Sequence, residues 1–260
     1  TPESRQKFFE QLNRVGVIGS KIDFFDHEAK EVIDQYQALL RDSAEHKIML
    51  EFHGANKPAG ESRTWPNEMT REAIRGMEYR SMTERATHNT TLPFTRFLAG
   101  HADYTPVHFG ERRAETSWTH QIATAIVFTS PLMIYGANPK SILDNPAANL
   151  IKSIPSTWDE TRVLPPSEIG ESAIFARRSG RSWFLGILNG RLARSVEIPL
   201  AFLPASSHNA MIVRDKLDDP AAVVVEKKIV SSGDSLKIEM RSGGGFVAWF
   251  RPSAGIQTKT

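Results

Sequence analysis

The sequence of 260 residues predicts two consecutive parts of different fold class, an α/β part and then an all-β part. In the first part, apolar strands alternate with amphipathic helices, which is typical of a parallel sheet covered by helices. Beyond Pro155, short strands with period-2 alternation replace the helices, which indicates an antiparallel β-sandwich. We therefore predict a boundary between Pro155 and Pro166, with an α/β domain at residues 1–160 and a β-sandwich domain at residues 161–260.

The α/β part begins with a helix over residues 2–15, since its apolar residues share one face and Gly16 follows as a stop signal. A strand, a helix and a second strand then form a βαβ unit. The predicted strands lie at residues 18–25, 47–52 and 131–136. The later helices are predicted at residues 28–41, 117–128 and 140–154, with a helical turn near residues 69–74.

The number of strands bears on the type of α/β fold. The first part offers about five strands, whereas a closed (β/α)8 barrel needs eight and typically about 250 residues. We therefore predict the C-terminal part of a (β/α)8 TIM barrel. An open doubly wound sheet is the alternative, although neither GxGxxG nor a P-loop is present to support a nucleotide site.

The β part shows seven segments with strand periodicity, separated by turn residues. Trp183 and Trp249 fall within such apolar alternating segments, so we expect them in a core rather than as sugar platforms. The predicted strands lie at residues 172–177, 182–189, 195–203, 209–216, 222–231, 235–240 and 245–250.

Composition argues against several classes of function. Lys and Arg number 32 against 30 Asp and Glu, so the charge balance supports neither nucleic acid nor a membrane surface as a partner. The absence of cysteine excludes disulfides and thiolate metal sites but leaves the compartment open. No apolar run approaches the roughly 20 residues that span a bilayer, and no signal peptide is visible.

An active-site rim is indicated between Glu51 and Glu78, where a histidine, five glutamates and three arginines follow the end of an apolar strand. Asp23 lies near the end of the preceding strand. In barrels of alternating strands and helices, catalytic groups lie at the C-terminal ends of the strands and on the loops above them. We therefore expect ionisable groups from successive strand ends to converge.

Three phrases, FHGANKPAGESRTWPN, EAIRGMEY and LPFTRFLAGHADYTP, together resemble glycoside hydrolase family 97, the calcium-dependent α-glucosidases and α-galactosidases. WDETRVL at Trp158 and the terminal β domain fit the same family. The resemblance covers nearly the whole chain and implies the C-terminal part of a longer bacterial enzyme, with an N-terminal β-sandwich and the first barrel strands preceding it. It also implies a periplasmic or extracellular location.

The resemblance implies roles for particular residues. Asp23 in KIDFF matches the nucleophile, and Glu78 in RGMEY matches the general acid/base. Glu72 matches a calcium-binding glutamate, with Glu78 also close to the Ca²⁺ ion, and a further calcium ligand is expected from the N-terminal region. Inverting members carry a glutamate where this chain has Gly54, so the chain resembles the retaining branch.

Four further residues are candidates for substrate binding. His53 follows an apolar strand, where we favour a sugar-hydroxyl contact over a core position. Arg63 lies in the following loop and is either a substrate contact or a loop-stabilising residue. Asp103 and Tyr104 belong to ADYTP, for which pocket lining and structural hydrogen bonding remain equal alternatives.

The function predicted from these residues is that of a retaining α-glycosidase acting on α-galactosides or α-glucosides through a covalent glycosyl-enzyme intermediate. The alternative is an inactive truncated homologue or a carbohydrate-binding or structural module. Uncovered strand edges and apolar faces of a partial barrel also predict a homo-oligomer or completion by a missing N-terminal portion. The sequence does not decide between galactose and glucose.

Overall fold

The structure is a computed structural model that describes residues 1–253. Helices and a short parallel sheet make up the first part, and antiparallel strands make up the second. Within the described residues, no helix combines the length and apolar character needed to cross a membrane. The helices are α1 Pro2–Arg14, α2 Lys30–Glu45, α3 Arg85–Thr91, α4 Trp118–Val127, α5 Pro139–Leu143 and α6 Ala148–Ile151.

The first sheet has three parallel strands in the order β1-β2-β3, namely β1 Gly19–Ile22, β2 Met49–Phe52 and β3 Glu68–Arg71. Its register places Lys21 opposite Glu51, and Glu51 opposite Thr70. The side chains of α1 and α2 cover one face of this sheet around Tyr36 and Phe52, whose rings lie 4.9 Å apart edge to face. The C-terminal ends of all three strands consequently meet at one edge.

Three predicted elements of the first part are wrong. The helical turn expected near residues 69–74 is largely the strand β3, because β2 pairs with it: the Leu50 amide donates to the Asn67 carbonyl and the Glu72 amide to the Phe52 carbonyl. The strand expected at residues 131–136 is an irregular segment. The helix expected at residues 140–154 is divided into α5 and α6, with Pro146 between them, where a proline disfavours a continuous helix.

Up to residue 253, the second part contains eight strands rather than the seven predicted, because β4 was not recognised. Six strands form an antiparallel sheet in the order β4-β5-β6-β11-β8-β9, and β10 pairs with β7 in a second sheet. An apolar core that includes buried Trp183 lies between the two sheets, as predicted for that residue. The strands are β4 Glu160–Val163, β5 Ser172–Ser179, β6 Ser182–Asn189, β7 Arg194–Pro199, β8 His208–Lys216, β9 Asp219–Val230, β10 Ser235–Met240 and β11 Gly245–Pro252.

Helix α4 joins the two parts. Nine of its residues are buried against the outer face of the six-stranded sheet. The approach is close at Gly186 of β6, where a Cβ atom would lie 2.9 Å from the side chain of Ile126. The helix therefore needs a residue without a side chain at this point of the sheet.

A chain of buried hydrogen bonds runs from the β part to the loop that carries Asp103. Asp215 of β8 accepts from the Ser117 hydroxyl at 2.6 Å, and Ser117 caps α4 by accepting from the His120 amide. Asn89 of α3 lies with its Nδ2 atom 2.9 Å from His120 Nε2 and accepts from the Tyr104 hydroxyl at 2.6 Å. We call these five residues the buried polar chain.

Burial shifts the pKa of two members of this chain, His120 and Asp215. Burial lowers the pKa of His120 to about 4, so the ring is neutral near pH 7 and its Nδ1 donates to the Gly244 carbonyl at 2.9 Å. Burial raises the pKa of Asp215 to about 6, although the Ser117 hydroxyl and the amides of Gly245 and Arg241 donate to its carboxylate. A buried carboxylate with three donors is stabilising only while all three remain paired.

We predict that Asp215→Ala lowers the free energy of unfolding by about 2–4 kcal/mol, because it leaves three buried donors without their acceptor. Chemical denaturation at pH 7 measures this change. Glu197→Ala, which removes an exposed carboxylate from β7, serves as the control and should change the free energy by less than about 0.5 kcal/mol. Equal effects of the two substitutions would contradict the structural role of Asp215.

Candidate active site

Five of the seven predicted site residues converge at the C-terminal edge of the parallel sheet. Asp23 follows β1, His53 follows β2 and Glu72 follows β3. Glu78 lies on the next loop, and Asp103 follows Ala102, which bridges to Arg71 at the end of β3. This is the arrangement expected when the carboxyl ends of parallel strands lie side by side.

His53 is the centre of the cluster and is only 6% exposed. Its Nδ1 lies 3.2 Å from an Asp23 oxygen. Its Nε2 lies 3.4 Å from Glu72, 3.7 Å from Glu78 and 3.7 Å from Asp103. One imidazole therefore contacts four carboxylates, with Asp23 at one ring nitrogen and Glu78 at the other. We call these five residues the carboxylate cluster.

Asp23 is hydrogen-bonded at one carboxylate oxygen and remains partly exposed to solvent. Its Oδ1 accepts from the Phe24 amide at 2.7 Å, and its side chain is 34% exposed. A Cβ atom at Gly54 would lie 2.9 Å from that same oxygen. The glycine therefore leaves the space that Asp23 occupies, and a larger residue at this position would displace the carboxylate.

Lys21 of β1 supplies the only ammonium paired with the cluster in the described residues. Its Nζ lies 3.1 Å from Asp103, 3.6 Å from Glu78 and 3.7 Å from Glu51. Burial opposes its charge, but these three carboxyl groups together raise the pKa of Lys21. Within the cluster, Lys21 therefore pairs with Asp103 and Glu78.

Glu51 of β2 lies beneath the cluster and is 1% exposed. Neither of its carboxyl oxygens has a hydrogen-bond donor among the described residues. Burial, followed by the proximity of Asp103, raises the pKa of Glu51 to about 9, so this carboxyl is protonated near pH 7. Sequence analysis did not single out Glu51, although a glutamate inside the apolar strand MLEF is an unusual residue for a fully buried position.

Glu72 accepts from the Gly54 amide at 2.8 Å, so one carboxylate oxygen is fixed by the backbone. Burial raises the pKa of Glu72, and the negative charges of Glu78 and Asp23 raise it further, against the opposing effects of Gly54 and His53. Excess negative charge at this position suits a bound cation.

The carboxylates of Glu72 and Glu78 fit calcium by their chemistry, because Ca²⁺ prefers oxygen ligands. His53, Glu78 and Asp103 also bring three ligand atoms within 4.8 Å of one another. Lys21, however, already pairs with two of those carboxylates, so a divalent ion between them would meet its positive charge. The Glu72 side of Glu78 is therefore the better position for a cation.

The structure does not bring Arg63 and Tyr104 into the cluster. Arg63 is exposed and lines a separate groove of about 530 Å³ beside β3. Tyr104 is 1% exposed, and its hydroxyl donates to Asn89 within the buried polar chain. The Tyr104 side chain therefore lies in the core beside Asp103 and does not line the cluster. The groove contains no member of the cluster, so the chemistry of the side chains and not this cavity marks the candidate site.

Arg96 fixes the loops on either side of the cluster and was not identified from the sequence. Its guanidinium bridges the end of β3 and the segment before Asp103, which holds Glu72 and Asp103 at a constant spacing. The carbonyl acceptors are those of Arg71, Glu72, Ala73, Gly100 and His101.

Two sequence families match separate parts of the chain. Residues 2–74 match the family described as Glycoside hydrolase 97. Residues 157–251 match the family described as Glycosyl-hydrolase 97 C-terminal, oligomerisation.

Curated relatives extend the match across nearly the whole chain. A probable retaining alpha-galactosidase of Streptomyces bingchenggensis (strain BCW-1) is 36% identical over 251 residues, which are 95% of this chain and 38% of that protein. The retaining alpha-galactosidase of Bacteroides thetaiotaomicron is 29% identical over 252 residues, covering 89% of this chain and 38% of that protein. The chain thus spans less than half the length of these relatives.

Solved structures show the same fold. A Glycoside Hydrolase Family 97 enzyme from Pseudoalteromonas sp. strain K8, in complex with acarbose, superposes with a TM-score of 0.88 at 26% identity. The match covers 97% of this chain and 45% of that enzyme. A beta-arabinopyranosidase superposes with a TM-score of 0.84 at 25% identity, covering 96% of this chain and 42% of that enzyme.

We predict that Glu51→Gln stabilises the protein increasingly as the pH rises. Wild-type Glu51 must take up a proton on folding above its ordinary pKa of 4.5, so its contribution to stability declines between that value and about 9. Glutamine is neutral throughout. The free energy of unfolding of the variant relative to the wild type should increase by on the order of 3 kcal/mol from pH 5 to pH 8.

Denaturant titrations at several pH values measure this difference. Glu45→Gln, at an exposed position on α2, is the matched control and should give a difference that does not vary with pH. If Glu51→Gln gave an equally flat profile, Glu51 would have to be ionised in the folded protein.

Proposed function

The chain belongs to glycoside hydrolase family 97, and from that premise we propose that it forms part of a retaining α-glycosidase acting on terminal α-galactosides or α-glucosides. The proposal rests on one observation: Asp23 and Glu78, from separate strand ends, approach opposite nitrogens of the same buried imidazole. The names of the two curated relatives favour retention and an α-galactoside. The beta-arabinopyranosidase adds a third substrate class for testing.

In the first step, Asp23 attacks the anomeric carbon and forms an ester with the sugar, while the glycosidic bond breaks. Glu78 gives its proton to the departing oxygen. Asp23 is suited to this role because its carboxylate is partly exposed and oriented by the Phe24 amide and His53. A retaining mechanism requires the two carboxyl groups about 5–5.5 Å apart.

In the second step, Glu78 removes a proton from a water molecule, which attacks the anomeric carbon and releases Asp23. Glu78 is 49% exposed, so water and a leaving group can reach it. Lys21 and His53 contact the same carboxylate oxygen and restrain its orientation. Two displacements at one carbon restore the original configuration.

A calcium ion would be held by Glu72 and Glu78, and its other ligands would come from residues other than these two. When bound, it would supply positive charge that orients the Glu78 carboxyl and sugar hydroxyls. Asp23 and His53 would remain available to the sugar, because neither is assigned to the ion.

The same proposal extends to the fold and to assembly. Residues 1–160 would be the C-terminal portion of a (β/α)8 barrel and residues 161–260 a β-sandwich, of which the last seven residues lie outside the described part. The description of the family that matches the β part includes the word oligomerisation, which supports self-association through this part. Sedimentation equilibrium of the whole chain should therefore give a mass that increases with concentration, and a constant monomer mass would contradict this part of the proposal.

We predict that the protein hydrolyses an aryl α-galactoside, α-glucoside or β-arabinopyranoside with retention, detected by NMR of the first anomer released. Asp23→Asn should lower the rate by at least about 10³-fold, whereas Asp26→Asn, three residues away and exposed, should leave it unchanged. Glu78→Ala should regain turnover in azide and give a glycosyl azide of unchanged configuration, because azide replaces water in the second step.

Each measurement is made with calcium and with a chelator. Loss of activity in chelator, restored by calcium, would support the assignment of Glu72. Sugar binding without turnover, insensitive to Asp23→Asn, would identify a binding module instead. A folded sample that neither binds nor hydrolyses these sugars would contradict the proposal.

A further inference from the structure

A second concave surface lies on the β part, far in sequence from the carboxylate cluster. It is a groove of about 590 Å³ between the six-stranded sheet and α6. This volume is in the range of sites that hold small molecules. Residues from β8, β9 and β11 form its floor, and Asn149 of α6 overhangs it.

The strand register explains which side chains share this floor. Residues paired across antiparallel strands point to the same face, and every second residue along a strand does so as well. Two neighbouring cross-strand rows therefore form a grid of six side chains. The rows are Lys227, Met211 and Trp249, and then Ile229, Asn209 and Arg251.

The grid has cations at two opposite corners and the apolar residues Trp249 and Ile229 at the other two, with Met211 between Lys227 and Trp249. The Trp249 ring is stacked with Phe184, and the Arg251 guanidinium lies 4.2 Å from its centroid. Lys227 and Arg251 lie two strands apart and are offset by two residues along the strands. Their Cα atoms are therefore about 12 Å apart.

The positive charge of the groove is uncompensated. Among residues 1–253, no acidic side chain lines it. The acidic neighbour in sequence, Glu226, pairs instead with Arg214 at 2.9 Å. A partner with negative charge would complement this groove.

We propose that this groove binds an acidic saccharide, with carboxylates at Lys227 and Arg251, hydroxyls at Asn149 and Asn209, and the apolar face of a sugar ring on Met211 and Ile229. Alternating apolar and polar contacts of this kind match a pyranose, which has both C–H faces and hydroxyl edges. The site would be non-catalytic, because it lacks the carboxyl groups that glycoside hydrolysis requires. It does not depend on the proposed activity.

The test is calorimetric titration of the whole chain with trigalacturonate and with its methyl ester, which keeps the sugar rings but removes the charge. The acid should bind, and the ester should bind at least five-fold more weakly. Raising the salt concentration should weaken the binding of the acid but not that of the ester. Equal binding of acid and ester, or binding of neither, would overturn the proposal.

Variants locate the binding. Lys227→Gln combined with Arg251→Gln should weaken the binding of trigalacturonate at least five-fold. Lys216 is an exposed cation at the end of β8, and Lys216→Gln should have no effect on binding. Inorganic phosphate that competes as well as trigalacturonate would indicate a simple anion site and overturn the saccharide assignment. Variants that alter sedimentation mass but not binding would instead make the groove a contact between copies of the chain.

Discussion

The packing of α4 onto the six-stranded sheet is the contact on which the rest of the structure depends. Its buried face is apolar, yet it also carries Ser117 and His120, which cannot be buried without partners. The buried polar chain satisfies them and in doing so connects Asp215 of the β part to Tyr104 beside the candidate site. The second part therefore supports the loop that carries Asp103 as well as its own core.

Compensation of charge is the corresponding constraint at the candidate site. Four carboxylates surround His53, and Lys21 is the one ammonium paired with them in the described residues. Burial and then the negative charges of Glu78 and Asp23 raise the pKa of Glu72, and burial keeps Glu51 protonated near pH 7. A site with this charge distribution is suited to a cation and to acid/base chemistry, and both features belong to the function we propose.

Some of the site could be predicted from the sequence because it lies where regular strands end. Asp23 and His53 each follow an apolar strand, so the pattern that predicts the strand also locates the side chain. Strand β3 was not predicted, since four residues including two charges show no apolar alternation and gain their conformation by pairing with β2. Tyr104 also shows what local sequence leaves open, because its neighbours were equally consistent with pocket lining and with structural hydrogen bonding.

By itself, the sequence determined the division into an α/β part and a β part and most strands of the second part, while its resemblance to a known family identified the glutamates that converge. Periodicity and strand ends are local properties, so residues close along the chain are sufficient to reveal them. Only the tertiary structure decided that Lys21 pairs with Asp103 and Glu78, that Glu51 is buried without a donor, and that Tyr104 faces the core. These depend on distances between segments far apart in sequence, and on the burial that those segments impose on one another, which no local pattern encodes.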